Sequence, residues 1–152
     1  MSELCRERLA TQLAEAVAEA RQHDLAGQER ALLVVSGGAT PVPFFRALAA
    51  RELPWERVQV TLADERWVTA SSPESNARLV REHLLQGPAA AAGFVPVATD
   101  DGTPEQGVAE VAERLAGLAW PASAVVLGMG GDGHTASLFP DSRELDRALT
   151  PA

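Results

Sequence analysis

The chain has 152 residues, 46% hydrophobic and 22% charged, a size and balance suited to one globular domain with a buried core. Its net charge is −8 and all thirteen basic residues are arginines, which excludes a basic nucleic-acid surface and any lysine-based covalent chemistry, and leaves guanidinium, backbone N–H and hydroxyl groups to hold an anion. A single cysteine, Cys5, permits neither an internal disulfide nor a thiolate zinc site, and no apolar run approaches the roughly 18 residues of a membrane span.

Leu9, Leu13, Ala16, Val17 and Ala20 recur at helical spacing and predict an amphipathic helix over residues 4–22. The N-terminus has scattered charges and no apolar core of a secretory signal, so the expected compartment is the cytoplasm. Ala31 to Val35 is a continuous apolar run that predicts a strand covered on both faces, ended by Ser36-Gly37-Gly38. A helix is expected next, with Thr40 as N-cap and Pro41 in its first turn. Val58 to Ala63 alternates as a second strand, and Asp64-Glu65-Arg66 follows it directly. Ser72-Pro73 is expected to open a helix running to about Gln86, stopped by Gly87-Pro88.

Residues 89–93 read as a loop and Phe94 to Ala98 as a short strand. Thr103-Pro104-Glu105-Gln106 has the pattern of a capping box, with Val108, Val111, Ala112, Leu115 and Leu118 as the apolar face behind it. Ala124 to Leu127 is a last buried strand. The alternation of strands and helices predicts a doubly wound, mostly parallel α/β sheet flanked by helices, in a single domain spanning residues 1–152. In such sheets ligands sit beyond the carboxyl ends of the strands. Three strand tips carry unusual residues there: 36–41, 64–68 and 128–140.

At the first tip, Gly37, Gly38, Ala39 and Thr40 form a strand-to-helix turn that can present free N–H groups to an anion, although an ordinary tight turn fits equally well. The Gly-Lys-Ser/Thr ending of a Walker loop is absent. At the second tip, Asp64, Glu65 and Arg66 combine two carboxylates with a guanidinium suited to a phosphate or carboxylate, and Ser75-Asn76 lies at the start of the following helix, where capping is the simpler reading. The third tip contains Gly128, Gly130 and Gly133 in the spacing of a dinucleotide fingerprint. That fingerprint belongs to a first strand-turn-helix unit with an acidic residue about 20 positions on, and here it follows the last strand. His134 is better read as a base, since it stands two residues from Asp132 in a glycine-rich loop. His23 and His83 fall on helices as surface residues. The composition and spacing together predict a histidine-based hydrolase or isomerase acting on an anionic ligand; a metal site of Asp132 and His134 is conceivable, but no further histidine accompanies them.

The stretches 35–41, 63–68 with Ser75-Asn76, and 128–140 occur in the order and spacing of the 6-phosphogluconolactonase family, which this chain resembles over nearly its whole length. Glucosamine-6-phosphate deaminases share the Gly-x-Gly-x-Asp-Gly-His core, but the continuation Thr135-Ala136-Ser137-Leu138-Phe139-Pro140 is similar to the lactonase form. The resemblance implies hydrolysis of 6-phospho-D-glucono-1,5-lactone to 6-phosphogluconate in the oxidative pentose phosphate pathway, with no cofactor and a small phosphosugar lactone as the partner of a monomer. It implies His134 as the base that activates water, Asp132 as its orienter, and Arg66 at the phosphate or the developing charge. The cradle of Gly37, Gly38, Ala39 and Thr40 takes the phosphate, Gly130 and Gly131 supply oxyanion donors, and Asp64, Glu65, Asn76 and Thr135 complete the substrate site. A deaminase-like activity and a non-catalytic sugar-phosphate module are the alternatives. The family's usual length of roughly 230 to 250 residues implies that a C-terminal part is missing, with weak or no activity expected of the chain alone.

Overall fold

A computed structural model describes residues 2–100 and 102–150. The first helix, α1 (Glu3–Gly27), begins at Ser2, whose hydroxyl accepts from the Cys5 N–H, and runs five residues past its expected end. Its continuation has a tertiary cause. The Arg57 guanidinium gathers the carbonyls of Leu25, Gln28 and Glu29, satisfying acceptors at the C-terminal end of the helix.

The buried face of α1 is not the expected one. Ala10, Ala14, Val17, Ala18, Arg21 and Leu25 face inward, while Leu9 and Leu13 remain exposed. Small residues on the inner stripe let α1 pack closely against its neighbours, and the larger leucines turn toward an open cavity. Arg21 is fully buried with no hydrogen-bond partner for its guanidinium nitrogens among the described residues. Burial pulls its pKa down to about 10 although nearby Asp24 opposes the shift.

Strand β1 (Ala31–Val35) is buried along its whole length, as its apolar run predicts. Helix α2 (Val42–Ala49) follows, burying Phe44, Phe45, Leu48 and Ala49. Pro41, in helical conformation, occupies the cap position, so Thr40 does not cap α2 as expected. A short 3-10 turn at Trp55–Arg57 leads into β2 (Val58–Leu62).

Helix α3 covers Asn76–His83 rather than starting at residue 72, because its cap is assembled at Ser75. The expected loop after it includes a 3-10 turn at Gly87–Ala91 that buries Ala89. Strand β3 (Gly93–Val95) stops earlier than expected, at Pro96, which has no N–H to extend a ladder.

Helix α4 (Pro104–Ala116) is opened by the predicted capping box, in which the Gln106 side chain accepts from the Thr103 N–H at 3.2 Å. Its inner face departs from the expected one. Val108 and Ala112 are exposed, whereas Gly107 is buried under the Trp67 ring and Leu115 and Leu118 join a cluster on the sheet. Strand β4 (Ala124–Val126) is only partly covered, with Val125 54% exposed, contrary to the buried strand expected. It pairs with β1 alone among the described residues. A last turn of helix, α5 (Leu145–Leu149), was not anticipated and buries nothing.

All four strands are parallel, in the order β3-β2-β1-β4. Alternate residues of β1 face opposite ways. Ala31, Leu33 and Val35 join the large core with residues of α1, α2 and α3, and Leu32 and Val34 join the second cluster with Leu115 and Leu118. Helices therefore cover both faces. The chain runs outward from β1 to β2 and β3, then returns to the other side of β1 for β4. The exits of β1 and β4 thus flank a topological switch point, where parallel α/β sheets leave a crevice.

Candidate active site

A cavity of about 690 Å³ occupies this crevice. Its walls include residues 36–41 after β1, Asp64 and Arg66 after β2, Asn76 at the start of α3, residues 126–130 with His134 and Ala136 after β4, and one stripe of α1. Of the expected site residues, Gly37, Gly38, Ala39, Thr40, Asp64, Arg66, Asn76, Gly130 and His134 line it together. Glu65, Gly131, Asp132 and Thr135 stand behind the walls or to one side.

The turn after β1 has the form of an anion cradle. Among the described residues, the N–H groups of Gly37, Gly38, Ala39 and Thr40 donate to no protein acceptor. Such successive unpaired donors suit a multiply charged oxyanion. The two glycines serve different ends. Gly38 sits at φ +90°, open to glycine at little cost, whereas Gly37 is required by a close approach. A Cβ on Gly37 would fall inside the Asn76 carboxamide.

Asn76 is 2% exposed and ties two strand tips together. Its Nδ2 donates to the Asp64 carbonyl at 3.0 Å, and its Oδ1 accepts from Arg66 Nη1 at 2.9 Å. The same Arg66 nitrogen donates to the Glu74 carbonyl at 2.8 Å. Arg66 is therefore held at the cavity wall by a buried amide that also lies on the cradle. The indole of Trp67, against Gly107 of α4, anchors the next residue of the segment.

Glu65, expected at the substrate, is engaged elsewhere. Its Oε1 accepts from the N–H groups of Arg66 and Asn76, each at 2.8 Å, and its Oε2 from the Ala77 N–H at 2.8 Å and the Ser75 hydroxyl at 3.2 Å. This carboxylate closes the N-terminus of α3 from a distant strand, where the helix dipole also favours a negative charge. In Glu65→Gln an amide NH2 replaces one acceptor and meets donors. That substitution is expected to cost about 1.5–3 kcal/mol of stability in urea unfolding, and a change below about 0.5 kcal/mol would dismiss the role.

After β4 the chain forms a compact loop. Gly133 takes φ +88° and Ala136 φ +51°, the latter a left-handed conformation that alanine adopts at some cost. Within the loop Asp132 Oδ1 accepts from His134 Nδ1 at 2.5 Å and from the His134 N–H at 3.1 Å. The imidazole also stacks on Phe139, ring centroids 4.6 Å apart, and lies so close to Gly130 that a Cβ there would overlap it. With Nδ1 bound to a carboxylate, Nε2 is the nitrogen left to accept a proton.

The expectation for the glycines of this loop needs one correction. The Gly130 N–H donates to the His134 carbonyl at 2.8 Å, so it is spent on folding the loop and is not free for an oxyanion.

Hydrogen bonding from the His134 N–H, and then from its ring, holds the Asp132 carboxyl below its ordinary value of 3.8. A carboxyl with a lowered folded pKa stabilises the loop above its unfolded pKa, and that contribution fades as the pH falls through the lowered value. Following the Asp132 carboxyl by 13C NMR is expected to give a midpoint below 3.8 that moves part of the way back in His134→Ala. An unmoved midpoint would remove the imidazole from the explanation.

Four residues have roles that were not legible beforehand. Ser137 donates from its hydroxyl to Asp64 Oδ2 at 3.1 Å, joining the third strand tip to the second. Phe139 braces the imidazole, and Leu9 and Leu13 line the cavity from α1. The leucine repeat marks an amphipathic helix by its spacing, but spacing does not say that the two leucines face a cavity.

Known proteins are similar to this chain in sequence and fold. Residues 5–151 match the family described as glucosamine-6-phosphate isomerases/6-phosphogluconolactonase. The chain is 50% identical over 147 residues to the 6-phosphogluconolactonase of Mesorhizobium japonicum, covering 97% of this chain and 62% of that one. It is 50% identical over 139 residues to the enzyme of that name from Pseudomonas aeruginosa, covering 91% and 58%. The crystal structure of a 6-phosphogluconolactonase from Shewanella baltica superposes with a TM-score of 0.93 at 46% identity, covering 96% of this chain and 63% of that one. The chain thus spans about 60% of the length of these relatives. Fold, order of motifs and identity agree: the chain belongs to the glucosamine-6-phosphate isomerase/6-phosphogluconolactonase family.

Proposed function

We propose that this chain carries the base and the phosphate cradle of a lactone hydrolase acting on 6-phospho-D-glucono-1,5-lactone. The observation that carries this reading is His134, bonded to Asp132, on the same cavity as the unpaired N–H groups of residues 37–40. A base and an anion cradle on one crevice suit a phosphorylated substrate with a hydrolysable acyl group. The 6-phosphogluconolactonase names of its relatives support the lactone over an amino sugar.

In the proposed reaction, Nε2 of His134 takes a proton from a water molecule as its oxygen bonds to the lactone carbonyl carbon. The Asp132 carboxylate orients the ring and stabilises its charged form. Negative charge collects on the carbonyl oxygen, and we assign its stabilisation to Arg66, since the Gly130 N–H is already committed. Collapse of the tetrahedral intermediate breaks the ring C–O bond, and the proton on His134 passes to the departing hydroxyl. The product is 6-phosphogluconate, and the base is regenerated. A cyclic ester is activated enough that no covalent nucleophile is needed.

Asp64 and Asn76 position rather than react in this scheme. The activity belongs to carbohydrate metabolism in the cytoplasm, in the oxidative pentose phosphate pathway. No helix among the described residues is long and apolar enough to cross a membrane. The direct test is loss of the lactone by the purified chain, followed against its spontaneous hydrolysis. Ammonia released from glucosamine-6-phosphate with no lactone turnover would instead select the isomerase branch of the family.

A further inference from the structure

We infer that Arg6, on the second turn of α1, is a side-chain cation that holds the substrate's phosphate against the cradle. This inference rests on the phosphosugar reading above and names a residue for its most highly charged group. The cavity wall contributed by α1 consists of Arg6, Leu9, Ala10 and Leu13. Those positions are spaced i, i+3, i+4 and i+7, which is one face of a helix. Arg6 therefore belongs to the stripe that faces the crevice.

Among the described residues, few cations face the cavity. A phosphate monoester carries close to two negative charges near neutrality, and the chain has no lysine to meet them. Two arginines line the cavity, Arg6 and Arg66. Nη1 of Arg66 is bound to the Glu74 carbonyl and the Asn76 amide, which fixes that guanidinium near the tip of β2. The side chain of Arg6 makes no hydrogen bond or ion pair among the described residues, so its donors are available. A second donor without an acceptor lies in the same wall. Ser36, 9% exposed, has a buried hydroxyl with no partner directly before the cradle. Free backbone N–H groups, an orphan hydroxyl and an unpaired guanidinium together form a donor set for a tetrahedral oxyanion.

The test is binding of inorganic phosphate to the whole chain by calorimetry, with Arg6→Gln, Arg6→Lys and Arg8→Gln beside the wild type. Arg8 lies on the same helix, is exposed and does not line the cavity. Phosphate affinity is expected to fall about tenfold or more in Arg6→Gln, to recover partly in Arg6→Lys, and to hold in Arg8→Gln. Kinetically, Arg6→Gln should raise KM for the phosphorylated lactone while sparing kcat, and leave unphosphorylated glucono-1,5-lactone unaffected. Equal affinity in Arg6→Gln and wild type, an equal loss in Arg8→Gln, or no phosphate binding by the wild type would each overturn the assignment. The two readings fail separately. Arg6-dependent phosphate binding without lactone turnover sinks the lactonase and keeps the clamp, whereas turnover with unchanged phosphate affinity in Arg6→Gln does the reverse.

Discussion

Replacing His134 by alanine is expected to lower lactone turnover about 10²- to 10⁴-fold while leaving the affinity for inorganic phosphate within about twofold of wild type. The separation follows from geometry. The cradle is made of main-chain N–H groups after β1, and the imidazole comes from the loop after β4. Removing the ring takes away the proton acceptor without touching the cradle. The ring does brace its loop through Asp132 and Phe139, so a folding control is needed. Asp132→Asn supplies one, because it keeps the size of the side chain and weakens the orientation of the ring. It should lie between wild type and His134→Ala in turnover. Wild-type turnover in His134→Ala would end the mechanism, and turnover lost together with phosphate affinity would point to a collapsed site.

Gly37→Ala is expected to damage both stability and phosphate binding, and the damage should depend on Asn76. A Cβ at position 37 overlaps the buried Asn76 carboxamide, which cannot withdraw without breaking its bonds to Asp64 and Arg66. Forcing volume into such a packed spot costs about 1–3 kcal/mol. Asn76→Ala alone loses those bonds but opens space. In the double variant the alanine at 37 occupies that space, so its additional cost should shrink by about 0.5–3 kcal/mol. Chemical unfolding of the four proteins measures this coupling, and calorimetry with phosphate measures its effect on the cradle. Strict additivity would mean that Gly37 is required for some reason other than Asn76. Gly38→Ala provides a contrast: nothing lies within 4 Å of a Cβ there, so its cost comes from backbone conformation alone.

Asn76 and Glu65 lie eleven residues apart, meet at the start of α3, and do different work. The amide bridges the cradle to Arg66, and the carboxylate closes α3. On the reading proposed above, Arg66 serves the developing oxyanion and Arg6 the phosphate, a division that composition alone cannot make.

Much was determined by local sequence. The unbroken apolar run 31–35, ended by glycines, has the pattern of a doubly covered strand, and glycine after a strand marks a turn. The closeness of Asp132 and His134 along the chain is also local, although only the folded loop decides that the carboxylate meets the ring. Strand and helix alternation was enough for the parallel α/β class, and the motif order for the family.

Tertiary structure decided the rest, because those outcomes depend on contacts between distant segments. Which face of α1 turns inward is set by small residues packing closely, a preference that hydrophobic periodicity does not register. The start of α3 is set by Glu65, eleven residues before the helix begins. The Gly130 N–H is claimed by the His134 carbonyl only once the loop closes, and Ser137 finds Asp64 across seventy-three residues. Residue types and local spacing marked the chemistry at each strand tip. Only the parallel register and the return of β4 to the far side of β1 brought those tips onto a single cavity.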